Sequence, residues 1–192
     1  KNKKIKKFVC FTTILLYKNN KPNKKIGEKN KTNPYRNNYI FSKHLLEEVV
    51  RFYQPHIPSI IVRLSNIYGY SKLKRPDLVP TLMQNIFKKN KNYVWTDKPI
   101  RDFVFAEDAA EAVVKLVNSK FVGIINIGSG KSNSVKKLTE IISKLSNKKI
   151  YSLNKKVSGP YKFLNNINLL KKVINWKPKH TLEQGLTKTF NI

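Results

Sequence analysis

Residues 37–65 read "NNYIFSKHLLEEVVRFYQPHIPSIIVRLS", and the fold depends on how they are parsed. Over 38–53 apolar side chains recur at helical spacing, with Leu45, Leu46, Val49, Val50 and Phe52 on or near one stripe, so the spacing predicts a buried helix. "SIIVRLS" (59–65) predicts a buried strand. Upstream, "FVCFTTILLY" (8–17) carries a β-branched and aromatic run that predicts another strand over 8–16, followed by an Asn- and Lys-rich loop to about residue 36. Strand, helix, strand in that order is a βαβ unit with a right-handed crossover and a parallel sheet, so the predicted class is α/β.

Beyond Gly69 the elements shorten. "VPTLMQNIFKK" (79–89) predicts a helix, "NYVWT" (92–96) and "DFVF" (102–105) short strands, and "AEDAAEAVVKLVNS" (106–119) a buried helix. "VGIINIGSG" (122–130) predicts a strand ending in a turn, and "SVKKLTEIISKLS" (134–146) a helix with Ser134 as its N-cap. The tail predicts two short helices around a Trp–Pro turn.

Composition narrows the function classes. The 192 residues carry 39 Lys and Arg against 11 Asp and Glu, a formal charge of +28. The lysines spread over every segment and travel with asparagines, so we expect no specific nucleic-acid partner, only the general attraction of a basic chain for polyanions. A single cysteine, Cys10, rules out a disulfide framework or a Cys-based metal site and suits a reducing, cytoplasmic setting. "KNKKIKK" before the 8–17 run imitates a signal peptide, but the run is too short to span a bilayer and no small-residue cleavage site follows. We therefore expect no membrane partner. His44, His56 and His180 are scattered, and we expect no metal. "GSGKS" (128–132) hints at a phosphate loop, yet Ile125 stands where that motif needs its first Gly. Glu47 and Glu48 read as a solvated helix face.

Tyr39 and Lys43 are four apart, so on a helix they project from one face. A free phenol has a pKa of about 10 and is a poor base at neutral pH. A nearby cation brings that value toward the working range. The strand before them ends in Thr12 and Thr13, at the carboxyl edge where open α/β sheets bind ligands. Together with "RLSNIYG" (63–69), "IRDFVFAEDAAEAVV" (100–114) and "INIGSG" (125–130), in that order, the chain resembles the extended short-chain dehydrogenase/reductases. More narrowly it resembles their NAD-dependent epimerase/dehydratase family, of the UDP-glucose 4-epimerase type, over residues 5–190.

The resemblance implies an incomplete Rossmann-like sheet with its first strands missing, in residues 1–64 and 104–119, and a smaller mixed α/β substrate subdomain in 65–103 and 120–192. It implies Thr13 as the hydroxyl that holds the reacting sugar oxygen, Tyr39 as acid/base and Lys43 as its partner. Thr12, Tyr39 and Lys43 would face NAD or NADP, and Asn66, Asp77, Leu78 and Arg101 a nucleotide-sugar. Members that dehydrate hexoses place Asp and Glu after the Thr, decarboxylases keep a Glu there, and GDP-fucose synthases a Cys. Ile14 and Leu15 move no protons, which leaves a 4-epimerase or ketoreductase. Tyr35 is no rival to Tyr39, because no lysine follows it four residues on.

Where epimerases carry an Asn before "LVP" (78–80) this chain has Asp77, and where they carry an Arg in the tail it has Val157, ahead of Gly159. The resemblance also implies about 100 further residues holding a Gly-rich coenzyme cradle, at about 30 per βαβ unit. The isolated 192 residues are therefore expected to be inactive, the alternative being a non-catalytic remnant or binding module. A homodimer through the 38–53 helix is likewise implied.

Overall fold

Asn37 starts the helix that organises the fold: its backbone is extended and its Oδ1 accepts a hydrogen bond from Ile40 N at 2.9 Å. The computed structural model describes residues 5–18, 24–70, 77–88, 91–156 and 161–191, so the Val157 and Gly159 comparison lies outside the described residues. In chain order the elements are β1 (Phe8–Thr13), α1 (Asn38–Tyr53), β2 (Ser59–Leu64), β3 (Asn66–Tyr68), α2 (Leu78–Lys88), β4 (Tyr93–Val94), β5 (Ile100–Arg101) and β6 (Phe103–Phe105). There follow α3 (Ala106–Val117), β7 (Gly123–Ile127), β8 (Asn133–Ser134), α4 (Val135–Ser146), β9 (Tyr151–Ser152), α5 (Asn168–Ile174) and α6 (Leu182–Phe190).

The main sheet has the order β1-β2-β7, all parallel, with Phe8 opposite Ser59 and Ile60 opposite Gly123. Ile60, Ile61 and Val62 are fully buried, as a strand covered on both faces requires. One face of the sheet packs with α3 and α5 through Ile60, Val62, Ala109, Ala112, Leu116, Ile125, Ile127 and Leu170. The other carries α1, where Val50 meets Cys10 and Ile61. A second core joins α2, α4 and α6 through Leu82, Ile86, Leu138, Ile142 and Leu186. The short pairs β3-β6, β4-β9 and β5-β8 frame it.

Three expectations need correction. The first strand stops at Thr13, not residue 16, because Ile14–Leu16 turn into a 3-10 helix capped by the Thr13 hydroxyl. Residues 123–127 belong to the main sheet, so the division placing 120–192 wholly in a substrate subdomain parts this strand from β2, with which it pairs. The stripe expected to bury α1 is mostly outside: of Leu45, Leu46, Val49, Val50 and Phe52 only Val50 is buried. The helix docks instead through Ile40, Glu47 and Val50.

α6 is held to the sheet side by a close approach. A Cβ on Gly185 would overlap the Tyr68 hydroxyl and stand 2.9 Å from its ring Cζ. Tyr68 is buried, and its hydroxyl donates to Leu182 O at 3.3 Å. Gly185→Ala gains about 1 kcal/mol of helix propensity but forces overpacking worth about 1–3 kcal/mol or more. We expect a net loss of about 1–2 kcal/mol, seen as a lower melting temperature and partly restored by adding Tyr68→Phe. An Ala variant as stable as the parent would contradict this packing.

Candidate active site

β2 changes partners at its carboxyl end. Ser65 N still donates to Ile127 O of β7 at 2.9 Å, whereas Asn66 N donates to Asp102 O beside β6 at 3.1 Å. The split opens a cleft of about 560 Å³ between the end of β1, the first turns of α1, β3 and the start of α2. A crevice at the carboxyl ends of parallel strands is where such sheets bind ligands.

Seven of the eight residues singled out in the sequence line this cleft: Thr12, Thr13, Tyr39, Lys43, Asn66, Asp77 and Leu78. Capping by Asn37 places Tyr39 in the first turn of α1, where its side chain is 53% exposed. Lys43 follows one turn later, its Nζ 5.9 Å from the Tyr39 ring centroid and donating to Phe11 O of β1 at 3.4 Å. Thr13 is buried, and its hydroxyl accepts from Leu15 N at 3.2 Å, so its own proton is left to donate. Of the two apolar residues that follow, Leu15 lines the cleft, while Ile14 packs with Tyr17, Ile26 and Phe163.

Arg101 does not join them. It is half-buried on β5, Nη1 donates to the carbonyls of Ile100 and Tyr161 at 3.0 and 3.1 Å, and burial lowers its pKa from the ordinary guanidinium value. Thr12 reaches the cleft, but its one hydroxyl proton goes to Glu47 Oε1 at 2.8 Å, which leaves none to donate to a coenzyme. Trp95 is exposed and lies off the cleft.

Sequence reasoning missed two buried carboxylates. Glu47, expected on a solvated face, has no exposure and pairs with Arg63. Glu47 follows Lys43 by four on the face that carries Tyr39, but that spacing does not show that an arginine sixteen residues on will meet it. Asp102 is also fully buried, and its carboxylate accepts from Ser129 N and Oγ at 2.7 Å and Gly130 N at 2.9 Å. Burial pushes its pKa up, against the hydrogen bonds from Ser129 and Gly130 that pull it down. The "GSGKS" turn is thus a small anion nest already filled by an internal carboxylate, the physical reason it is no phosphate loop. His180 is likewise tied, with Nδ1 2.9 Å from Asp108 Oδ1.

Among the described residues no group of three or more His, Cys, Asp or Glu is placed to hold a metal, and no helix is long and apolar enough to cross a membrane.

A three-stranded parallel sheet with a crevice at its carboxyl edge, faced by a Tyr, a Lys and a Thr, defines a Rossmann-like α/β protein. The chain belongs to the NAD dependent epimerase/dehydratase family, whose model matches residues 1–128. It is 29% identical over 148 residues to the UDP-glucuronate 4-epimerase of Thermodesulfobacterium geofontis, covering 68% of this chain and 42% of that one. It is 28% identical over 141 residues to GDP-L-fucose synthase 1 of Arabidopsis thaliana, covering 66% and 43%. In structure it superposes on UDP-glucuronic acid 4-epimerase from Bacillus cereus, solved with UDP-glucuronic acid and NAD, with a TM-score of 0.86. There the identity is 22%, and the match covers 99% of this chain and 62% of that one. The chain thus spans less than half the length of these two curated relatives.

Proposed function

We propose that the chain carries the acid/base and sugar-binding part of an NAD(P)-dependent nucleotide-sugar 4-epimerase or ketoreductase. The observation that carries this reading is the convergence of Thr13, Tyr39 and Lys43 on one cleft. An exposed phenol and a cation one turn apart offer adjacent donors to the hydroxyls of a ribose, so Tyr39 and Lys43 would hold the nicotinamide end of the coenzyme. When bound, that coenzyme supplies a hydride acceptor and donor.

The protein's own share is proton handling. Tyr39 takes the proton from the sugar hydroxyl as the carbon becomes a ketone, and returns it when the carbon is reduced. Thr13 donates to the same oxygen and orients it. Lys43 offsets the negative charge on the Tyr39 oxygen, and the first turn of a helix also favours negative charge. Leu15 closes one wall without a proton to give, which disfavours dehydration and decarboxylation. Asn66 and Leu78 also line the cleft, where Asp77 repels a phosphate and accepts from hydroxyls instead. The natively expressed protein, given NAD or NADP and UDP-hexoses or UDP-hexuronic acids, is expected to interconvert 4-epimers or reduce a 4-keto sugar, read by proton NMR. Neither conversion with any of them would sink the reading.

The exposed face of α1, with Phe41, Leu45, Val49 and Phe52, supports a second proposal: that a copy of the same chain covers it. Residues 41, 45, 49 and 52 recur at steps of four, four and three, the spacing of a helix-pairing stripe. Leu45→Glu is expected to convert a dimer to a monomer in sedimentation velocity. A parent chain that sediments as a monomer at tens of micromolar would refute it.

A further inference from the structure

We propose that Glu47 is a positioning residue for the Tyr39–Lys43 pair, an inference that rests on the acid/base reading above. Residues 39, 43 and 47 succeed one another at steps of four, each about 40° around the helix from the last. The face of α1 that presents the phenol and the ammonium to the cleft therefore runs, one turn later, into the sheet. There Glu47 ends in a carboxylate with no exposure.

Its oxygens accept from donors on three elements. Thr12 Oγ1 of β1 donates at 2.8 Å, Arg63 Nε of β2 at 2.8 Å with Nη2 alongside, and Arg51 Nη2 of α1 at 3.0 Å. These fill the lone-pair sites of a carboxylate. Arg63 is itself 2% exposed and stands opposite Thr12 in the strand register. Its guanidinium lies 4.6 Å from the centroid of the Tyr17 ring, whose hydroxyl donates to Asn126 Oδ1 of β7 at 2.8 Å. One carboxylate thus joins the helix to both neighbouring strands, and through Arg63 and Tyr17 to the third.

The apolar contacts of α1 are non-directional and tolerate a slide along the sheet, whereas a two-pronged Arg–carboxylate pair accepts one geometry. Thr12 is the neighbour of Thr13, so Glu47 ties the helix that carries Tyr39 to the strand end that carries the other reacting-site hydroxyl. The reach of Lys43 Nζ to Phe11 O follows from that setting. Stability alone is a weak reason for such a pair, since apolar residues of similar volume serve a core as well or better.

The test is the double variant Glu47→Leu with Arg63→Met, which removes the charges together. We expect it to melt cooperatively near the parent temperature, with kcat lowered about 10²-fold and KM little changed. Its crystal structure is expected to show Lys43 Nζ out of reach of Phe11 O. A folded double variant with parent kcat, or with Lys43 still bonded to Phe11 O, overturns the proposal. If the parent protein shows no turnover, the acid/base reading fails and the Lys43 geometry alone decides the role of Glu47. Should the double variant not fold, Thr12→Val leaves the ion pair intact. It is expected to fold cooperatively at a somewhat lower melting temperature, since one acceptor site of Glu47 is left open, and to lower kcat severalfold; an unchanged kcat there also overturns the proposal.

Discussion

Replacing Tyr39 by Phe is expected to lower kcat by about 10²–10⁴-fold, the range over which a positioned acid/base contributes. The substitution deletes one oxygen from a side chain that is half outside the protein, so it opens no cavity in the core. The phenol acts on the sugar oxygen chiefly as the proton moves, so KM for the sugar is expected to stay close to the parent value, while affinity for the coenzyme falls with the lost ribose contact. The check is steady-state kinetics with the circular dichroism spectrum and melting temperature as controls. A Phe variant within tenfold of the parent kcat would mean that another group handles the proton. Lys43→Met is expected to act in the same direction.

Replacing Arg63 alone by Met is expected to be the most destabilising single change considered, at about 3–5 kcal/mol. The physical reason is what it leaves behind. Glu47 has no exposure, so its carboxylate would keep only Thr12 and Arg51 as partners and lose its buried counter-charge. For a chain of this size about 2–4 °C of melting temperature is lost per kcal/mol. A fall of roughly 10 °C is therefore the expected reading. Adding Glu47→Leu is expected to recover most of it, because the second change removes the orphaned charge. A single variant that melts within two or so degrees of the parent, against the expected fall, would show that the pair is solvated in solution.

These two expectations separate two kinds of information. That Tyr39, Lys43 and Thr13 meet at one cleft was legible because the signals for it are local: a four-residue step on a helix and a hydroxyl at the end of an apolar strand. The βαβ unit was legible for the same reason, and so was Ser134, whose hydroxyl accepts from Lys137 N at 3.1 Å as an N-cap does. Glu47 and Asp102 were not. A carboxylate written into a helix or ahead of a strand reads as solvated until its donors are seen, and Arg63 and the 129–130 amides lie 16 and 27 or more residues away in the chain. Arg101 failed in the opposite way: its chemistry suits a phosphate, but carbonyls of its own neighbourhood hold its Nη1.

What the sequence by itself determined is the set of longer elements and which side chains gather at one sheet edge, because periodicity and capping act over a few residues and survive without tertiary detail; the short strands β3, β5, β8 and β9 carry too few residues for a periodicity. Only the tertiary structure decided which face of α1 is buried. Counting apolar residues favoured a stripe of Leu45, Leu46, Val49, Val50 and Phe52, yet of these only Val50 is buried, and the helix docks by the face with Ile40, Glu47 and Val50. A buried, fully hydrogen-bonded Arg–Glu pair outweighs in direction what an apolar stripe offers only in area, and no local pattern records where the matching arginine will stand.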